Sequence, residues 1–158
     1  MSTRIQLRGP DGRTFLARRG VECGLFGVYL HRMDAPDPSE DLHDHPWWFG
    51  SLVLWGGYTE LRADARDPGH PQMRSRRLAT WASLSRRECH RITRLNRRHC
   101  WTLVFRGRKH PEWGFYVPNE VWDVAGPSSP AGPRYQRVTS SVYQDSPRGQ
   151  QRGVEDVA

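Results

Sequence analysis

Cysteine, lysine and long apolar runs are what this chain has little of. Cys occurs three times, at 23, 89 and 100. That odd number, without C-x-x-C spacing, excludes a disulfide framework and a cysteine-only zinc site, and it fits a reducing, cytoplasmic setting. The longest stretch free of charged side chains, 46–59, includes Pro46 and three Gly. It is too short and too broken for a bilayer span, so no membrane partner is expected. The opening MSTRIQLRGPDGR has no apolar segment of the secretory type. No long stretch repeats with a helical period. The chain also lacks a G-x-S-x-G elbow, a phosphate loop and a dinucleotide fingerprint.

What is present is arginine and aromatic. Lys109 is the one lysine among 24 Lys and Arg residues, and the formal net charge is +7. Between 74 and 109 twelve cationic side chains meet one acid, Glu88. Such a stretch is a solvated face, a site for a small anion or, ranking behind these, a nucleic-acid contact. Acids gather instead at Asp34, Asp37, Glu40, Asp41 and Asp44, around the histidines, and make that approach less hospitable to a polyanion. Seven Trp, five Tyr and five Phe supply much of the apolar bulk of a chain whose mean hydropathy is −0.79.

A length of 158 residues suits one domain with a tail. Short strand-like runs follow one another: RTFLA (13–17), LFGVYLH (25–31), WFGSLVLW (48–55), YTELRA (58–63), MRSRRLATW (73–81), HRITRL (90–95), CWTLVFRG (100–107) and EWGFYVP (112–118). Turn formers punctuate them, including DPGHP at 67–71. Gly56-Gly57 between two runs reads as a hairpin turn. The pattern predicts an all-β fold, a sandwich or closed barrel, over residues 1–125. From 126 the composition turns rich in Pro, Gly and Ser, as expected of a partly disordered tail over 126–158. Within it RYQRVTSSVYQ (134–144) reads as a strand or as an arm packed on a neighbour.

The histidines carry the chemistry. His43 and His45, in LHDHPWWF, are two apart, so on an extended strand both imidazoles share one face and Asp44 takes the other. Three residues separate His45 from Phe49, and six separate Phe49 from Gly56. This resembles the first cupin motif, in which H-x-H is followed by Glu and then Gly. A second motif centres on a later His, for which His90 in CHRI is the best placed. The combination of LHDHPWWFGSLVLWGGYTE, CHRI and CWTLVFRGRKHPEWGFYVP resembles a family of small cupins of bacterial and phage genomes. The resemblance covers about residues 13–124. It implies a cupin-type jelly-roll β-barrel and a metal held by His43, His45 and His90.

The departures are specific. Phe49 stands where the cupin carboxylate ligand would be, and Asp37 stands at the opening Gly of the first motif. The second motif's Pro, Gly and Asn positions fall on Ser85, Arg87 and Arg94. What carries over is three imidazoles. Such a set suits Fe(II), favoured here, or Zn(II), Ni(II), Mn(II) or Cu(II). Without the carboxylate the ion stays more positive and favours a small anionic substrate. The expected function is a small metal-dependent enzyme, an oxygenase ahead of an isomerase or hydrolase. The alternatives are a non-catalytic cupin that binds a ligand or partner, and behind it a basic accessory to nucleic acid.

Other residues are assigned by position. Tyr58 and Glu60 share a face of one strand. If that face is the interior, Glu60 is a fourth ligand, a partner that orients a His, or a general base. Otherwise it is an exposed strand Glu paired with Arg62 or another Arg. Tyr58 orients substrate or fills the core with a satisfied hydroxyl. Arg62 and Arg106 are candidates to hold a carboxylate or phosphate if their strand phase points inward. His31 ends a strand near the cavity mouth. His70, His99 and His110 fall in turns or loops, and none of these four has ligand spacing. Cys89 neighbours His90 and so faces the other way. Trp47 and Trp48 cannot both face inward, and an aromatic outer face is a plausible homodimer contact.

Overall fold

A computed structural model describes residues 2–9, 11–110, 112–118 and 135–145. Their strands are β1 (Ser2–Arg8), β2 (Thr14–Cys23), β3 (Phe26–Met33), β4 (Leu42–His43), β5 (Phe49–Trp55), β6 (Tyr58–Asp64), β7 (Asp67–Arg76), β8 (Trp81–Leu84), β9 (Glu88–Leu95), β10 (Cys100–Arg106), β11 (Gly114–Pro118) and β12 (Tyr135–Thr139). A short helix, α1 (Ser140–Asp145), follows β12. The strands form two six-stranded sheets, ordered β1-β2-β3-β10-β5-β8 and β12-β11-β4-β9-β6-β7. Every pairing is antiparallel. The expected all-β fold is what the chain adopts. No helix among the described residues is long and apolar enough to cross a membrane.

The period-2 alternation that marked the strands also sorts the faces. In β10, Cys100, Thr102, Val104 and Arg106 are buried, whereas Trp101 and Leu103 are only partly covered and Phe105 is exposed. Met33, Val53, Tyr58 and Cys100 form one core cluster between the sheets. Leu42, Ala63, Cys89 and Tyr116 form a second, on the face of the β4-β9-β6 sheet opposite His90. Burial pushes the Cys89 thiol up to about 12, as suits a packed sulfur rather than a nucleophile.

Two expectations are corrected. Gly56-Gly57 does not close a hairpin, because β5 and β6 lie in different sheets. Both glycines do have positive φ, 80° and 112°. A Cβ on Gly56 would overlap the His99 carbonyl oxygen, and one on Gly57 the Arg76 carbonyl oxygen. The pair is a tight corner that carries the chain from one sheet to the other. DPGHP is not a turn but the start of β7, with the turn one step earlier at 65–66. Pro68 and Pro71 are tolerated there because β7 is a sheet edge, where a missing N–H breaks no ladder. β1 lies ahead of the first strand-like run read from the sequence. It pairs with β2 at the opposite edge, its residues alternating between exposed and half-covered.

The boundary expected at 125/126, and the Pro/Gly/Ser-rich run after it, lie outside the described residues. Residues 135–145 pack on the barrel. β12 pairs with β11, and the Tyr143 ring stacks on Phe115 at 3.9 Å between centroids. The Tyr143 hydroxyl donates to Asp41 at 2.7 Å and lies 3.0 Å from Ser39 Oγ.

Asp44 faces away from the two histidines that flank it. Its carboxylate accepts from the Gly114 N–H at 2.7 Å, the Tyr116 hydroxyl at 3.0 Å and Arg137 Nε at 2.6 Å. It therefore ties the His-bearing segment to β11 and β12. Asp44→Asn leaves an amide among these donors. The expected loss is about 1–3 kcal/mol, read as a lower denaturant midpoint at unchanged slope, with no loss expected from Asp11→Asn on the exposed β1–β2 turn.

Candidate metal centre

The centre is assembled by two neighbouring strands. His43 on β4 is the direct cross-strand partner of His90 on β9. His45 follows just past the end of β4 and returns to the same side. The three ring centroids form a nearly equilateral triangle, with sides of 5.0, 5.0 and 5.1 Å. One ring nitrogen from each lies within 4.8 Å of the other two. His45 Nε2 and His90 Nε2 are 3.0 Å apart. That is the spacing of two ligands at right angles around an ion with bonds of about 2.1 Å.

Burial holds His43 and His45 toward the neutral form, the form in which an imidazole binds a metal. It holds His43 at about 4, against the opposing pull of Asp37. It also holds His45 well below the ordinary value, reinforced by the charges of His43, His90, His31 and Arg18. His43 Nδ1 is buried and has no hydrogen-bond partner among the described residues.

Glu60 on β6 stands behind His90. Its Oε2 lies 3.0 Å from His90 Nδ1, and its Oε1 accepts from Arg76 Nε at 2.8 Å. It is 2% exposed and is paired with Arg76, so the reading of it as an exposed partner of Arg62 is set aside. Burial works to raise its carboxyl, but the bonds and charges of His90 and Arg76 outweigh burial and hold it below the ordinary value. A carboxylate on Nδ1 fixes the proton there and leaves the Nε2 lone pair directed at His45.

Phe49 fills the place where the motif resemblance would put a carboxylate. Its ring sits 4.7 Å from His45, edge-on, and 5.9 Å from His90. Trp113 and Phe115 cover His43 at 6.2 and 5.8 Å. The centre is thus three nitrogens in an aromatic frame, without an oxygen ligand from this position.

The remaining expected residues spread around the interior. Tyr58 lies in the core cluster with Met33 and Val53, and burial followed by the charge of Glu60 pushes its phenol up. Arg62 shares a face with His90 but is engaged by Glu88 at 2.6 Å and by the Ser83 carbonyl oxygen. Arg106, beside Phe49 on the opposite sheet, donates to the Tyr29 hydroxyl at 3.0 Å and pairs with Glu22 at 3.1 Å. Its guanidinium covers the Trp47 ring at 5.3 Å, whereas Trp48 is exposed. His70 is exposed on β7, and His99 pairs with Asp34 at 2.5 Å.

The residues that sequence reading undervalued are His31 and Arg18. They are cross-strand partners on β3 and β2, and the positive charge of Arg18 acts on His45. Burial, then Arg18, holds His31 at about 3, and its buried Nε2 has no hydrogen-bond partner among the described residues. The available signal was the alternation Tyr29, His31, Met33, which puts all three on one face.

These neutral histidines set an acid limit. Unfolded, each titrates near 6.5, whereas folded His43 and His31 do so at about 4 and 3. Between those values the unfolded chain binds protons that the fold refuses, so stability falls as pH falls. The depressed Glu60 and Glu88 act in the same direction at the lower end, since their contribution is lost on protonation. Denaturant midpoints are expected to decline from neutrality to about pH 4, and His31→Asn is expected to flatten the decline.

No family model matches the chain, and no curated protein matches it in sequence. Solved structures do. A mannose-6-phosphate isomerase-like protein of Ralstonia eutropha JMP134 superposes with a TM-score of 0.51 and 14% identity, covering 59% of this chain and 84% of that one. Fe(II) HppE gives 0.53 and 12%, over 66% of this chain and 56% of that one. A variant of Bacillus subtilis oxalate decarboxylase gives 0.52 and 12%, over 68% of this chain and 28% of that one. The chain therefore spans about half of HppE and about a quarter of the decarboxylase. At these identities the likeness establishes the fold, a cupin-type jelly roll.

Proposed function

We propose that this chain binds one divalent cation through His43, His45 and His90 and is a small metal-dependent enzyme acting on a small anionic molecule. Oxygenase chemistry ranks ahead of isomerisation or hydrolysis, and Fe(II) ranks ahead of Zn(II), Ni(II) or Mn(II). The observation that carries the reading is the triangle of three converging imidazoles, one of them oriented from behind by a buried carboxylate. The likeness of fold to Fe(II) HppE and to an isomerase-like protein supports it.

A bound ion would supply Lewis acidity, and with iron a redox centre. The chain's own residues do the rest. Three uncharged ligands leave the cation's charge uncompensated, which favours an anion beside it. Arg18, on the facing sheet, adds positive charge to the same interior. Glu60 keeps His90 in one tautomer and is the nearest group to exchange a proton with its Nδ1. Phe49, Trp113 and Phe115 limit water around the imidazoles.

The test is elemental analysis of protein purified without added metal, followed by anaerobic titration with Fe(II), Zn(II), Ni(II) and Mn(II). The expected result is one ion per chain, and oxygen uptake on a member of a panel of small carboxylates and phosphates. Failure to bind any of the four ions overturns the reading. Stoichiometric metal with no turnover across the panel replaces the enzyme by a binding module.

A further inference from the structure

The outer face of the β1-β2-β3-β10-β5-β8 sheet bears a row of six cross-strand partners, one from each strand. In order they are Arg4, Arg19, Leu30, Leu103, Leu52 and Trp81. The row is cationic at one end and aromatic at the other, with leucines between. The next row repeats the apolar part with Val28, Phe105 and Gly50. A Cβ on Gly50 would overlap the Trp81 indole, so the ring lies over the glycine, 6.0 Å from Phe105. Leu30, Trp81 and Phe105 remain 38, 49 and 36% exposed. A contiguous apolar patch of this kind is unusual on a lone domain.

We infer that this face packs on the same face of a second copy of the chain, about a two-fold axis that runs along the strands between β3 and β10. The order of the row selects that partner. The axis exchanges Leu30 with Leu103, Arg19 with Leu52, and Arg4 with Trp81. Each cationic edge then lies over the aromatic edge of the other copy, and no arginine meets an arginine. A surface must be complementary to itself to make a closed dimer, and a guanidinium over an indole is such a match. The size also fits. Six strands about 4.8 Å apart and about seven residues of ~3.3 Å give a face of roughly 650 Å² in projection, near the ~800 Å² per partner of a standard interface. The leucines in the middle of the row have the apolar character of an interface core, Arg4 at its end lies at the rim, and Arg32 on β3, already paired with Asp34, is brought by the same axis over Trp101. The inference is independent of the metal centre, which lies on the other side of the sheet.

Sedimentation velocity of the full chain over a range of concentrations tests it. The expected species has twice the 18.3 kDa chain mass, and Leu30→Arg converts it to monomer with an unchanged far-UV CD spectrum. Leu78→Arg, at an exposed turn off this face, stays dimeric. Arg4 and Trp81 stand on opposite edges of one sheet, so they can couple only through a second copy. Arg4→Ala and Trp81→Ala are each expected to weaken dimerisation by roughly fivefold or more, since two symmetric contacts are lost. The double variant is expected to be no weaker than the worse single. A wild-type chain that is monomeric at every concentration, with or without binding to phosphatidylcholine vesicles, overturns the inference. So does a dimer indifferent to Leu30→Arg, or additive effects of Arg4→Ala and Trp81→Ala.

Discussion

His90→Ala is expected to abolish metal binding, and with it any metal-dependent turnover. His90 is the hub of the centre. Its Nε2 meets His45 at 3.0 Å, its Nδ1 meets Glu60 at 3.0 Å, and its backbone is in register with His43. Losing it removes one of three ligands and also the side chain that Glu60 orients. Removing an outer partner of a metal ligand typically costs roughly 10–100-fold in affinity, and removing the ligand itself costs more. Isothermal titration with Zn(II) or anaerobic Fe(II) is expected to show one site in the parent chain and none in the variant. His70→Ala is the control. That imidazole is exposed and paired with Asp67 on an edge strand, so its loss leaves the titration unchanged. Stoichiometric, tight metal in His90→Ala would place the centre elsewhere.

Glu60→Gln is expected to damage stability and metal affinity together. The carboxylate is buried and serves two donors, Arg76 and His90. An amide has one acceptor oxygen for these two donors and turns its own N–H toward the other. Arg76 is then left half-buried without its counter-charge, a change that costs up to about 3–5 kcal/mol. His90 also loses the partner that fixes its tautomer, and metal affinity is expected to drop by roughly 10–100-fold. Urea denaturation of the metal-free protein measures the first effect and metal titration the second. Glu60→Asp keeps the charge and is expected to recover most of the stability but less of the affinity, since its shorter reach must choose between Arg76 and His90. Full metal affinity in a stably folded Glu60→Gln would show that His90 needs no help from behind.

Much of this was legible from spacing. H-x-H put two imidazoles on one side because strand residues alternate, and the same rule set Cys89 against His90. What spacing does not encode is the partner a side chain finds on a distant strand. Arg62 and Arg106 point inward as their strand phase allowed, but Glu88 and Glu22 reach them from other strands. Glu60 was correctly linked to Tyr58 by period 2, whereas its pairing with Arg76 depends on the β6–β7 register. His31 went undervalued for the same reason, since its neighbour Arg18 is beside it only across the β2–β3 ladder. Gly56-Gly57 announced a sharp corner through two positive φ angles. The flanking strands do not pair again, because both edges of β5 are taken, one by β10 and the other by β8.

That placement of β10 has a consequence for synthesis. β10 is hydrogen-bonded to β3 on one side and to β5 on the other, so it alone joins β1-β2-β3 to β5-β8. A nascent chain emerging from the ribosome as far as β9 consists of half-sheets with open edges, which invite pairing with the wrong strand or another chain. Until β10 arrives there is no continuous wall opposite the histidines, so the cup must be completed after most of the polypeptide has been made.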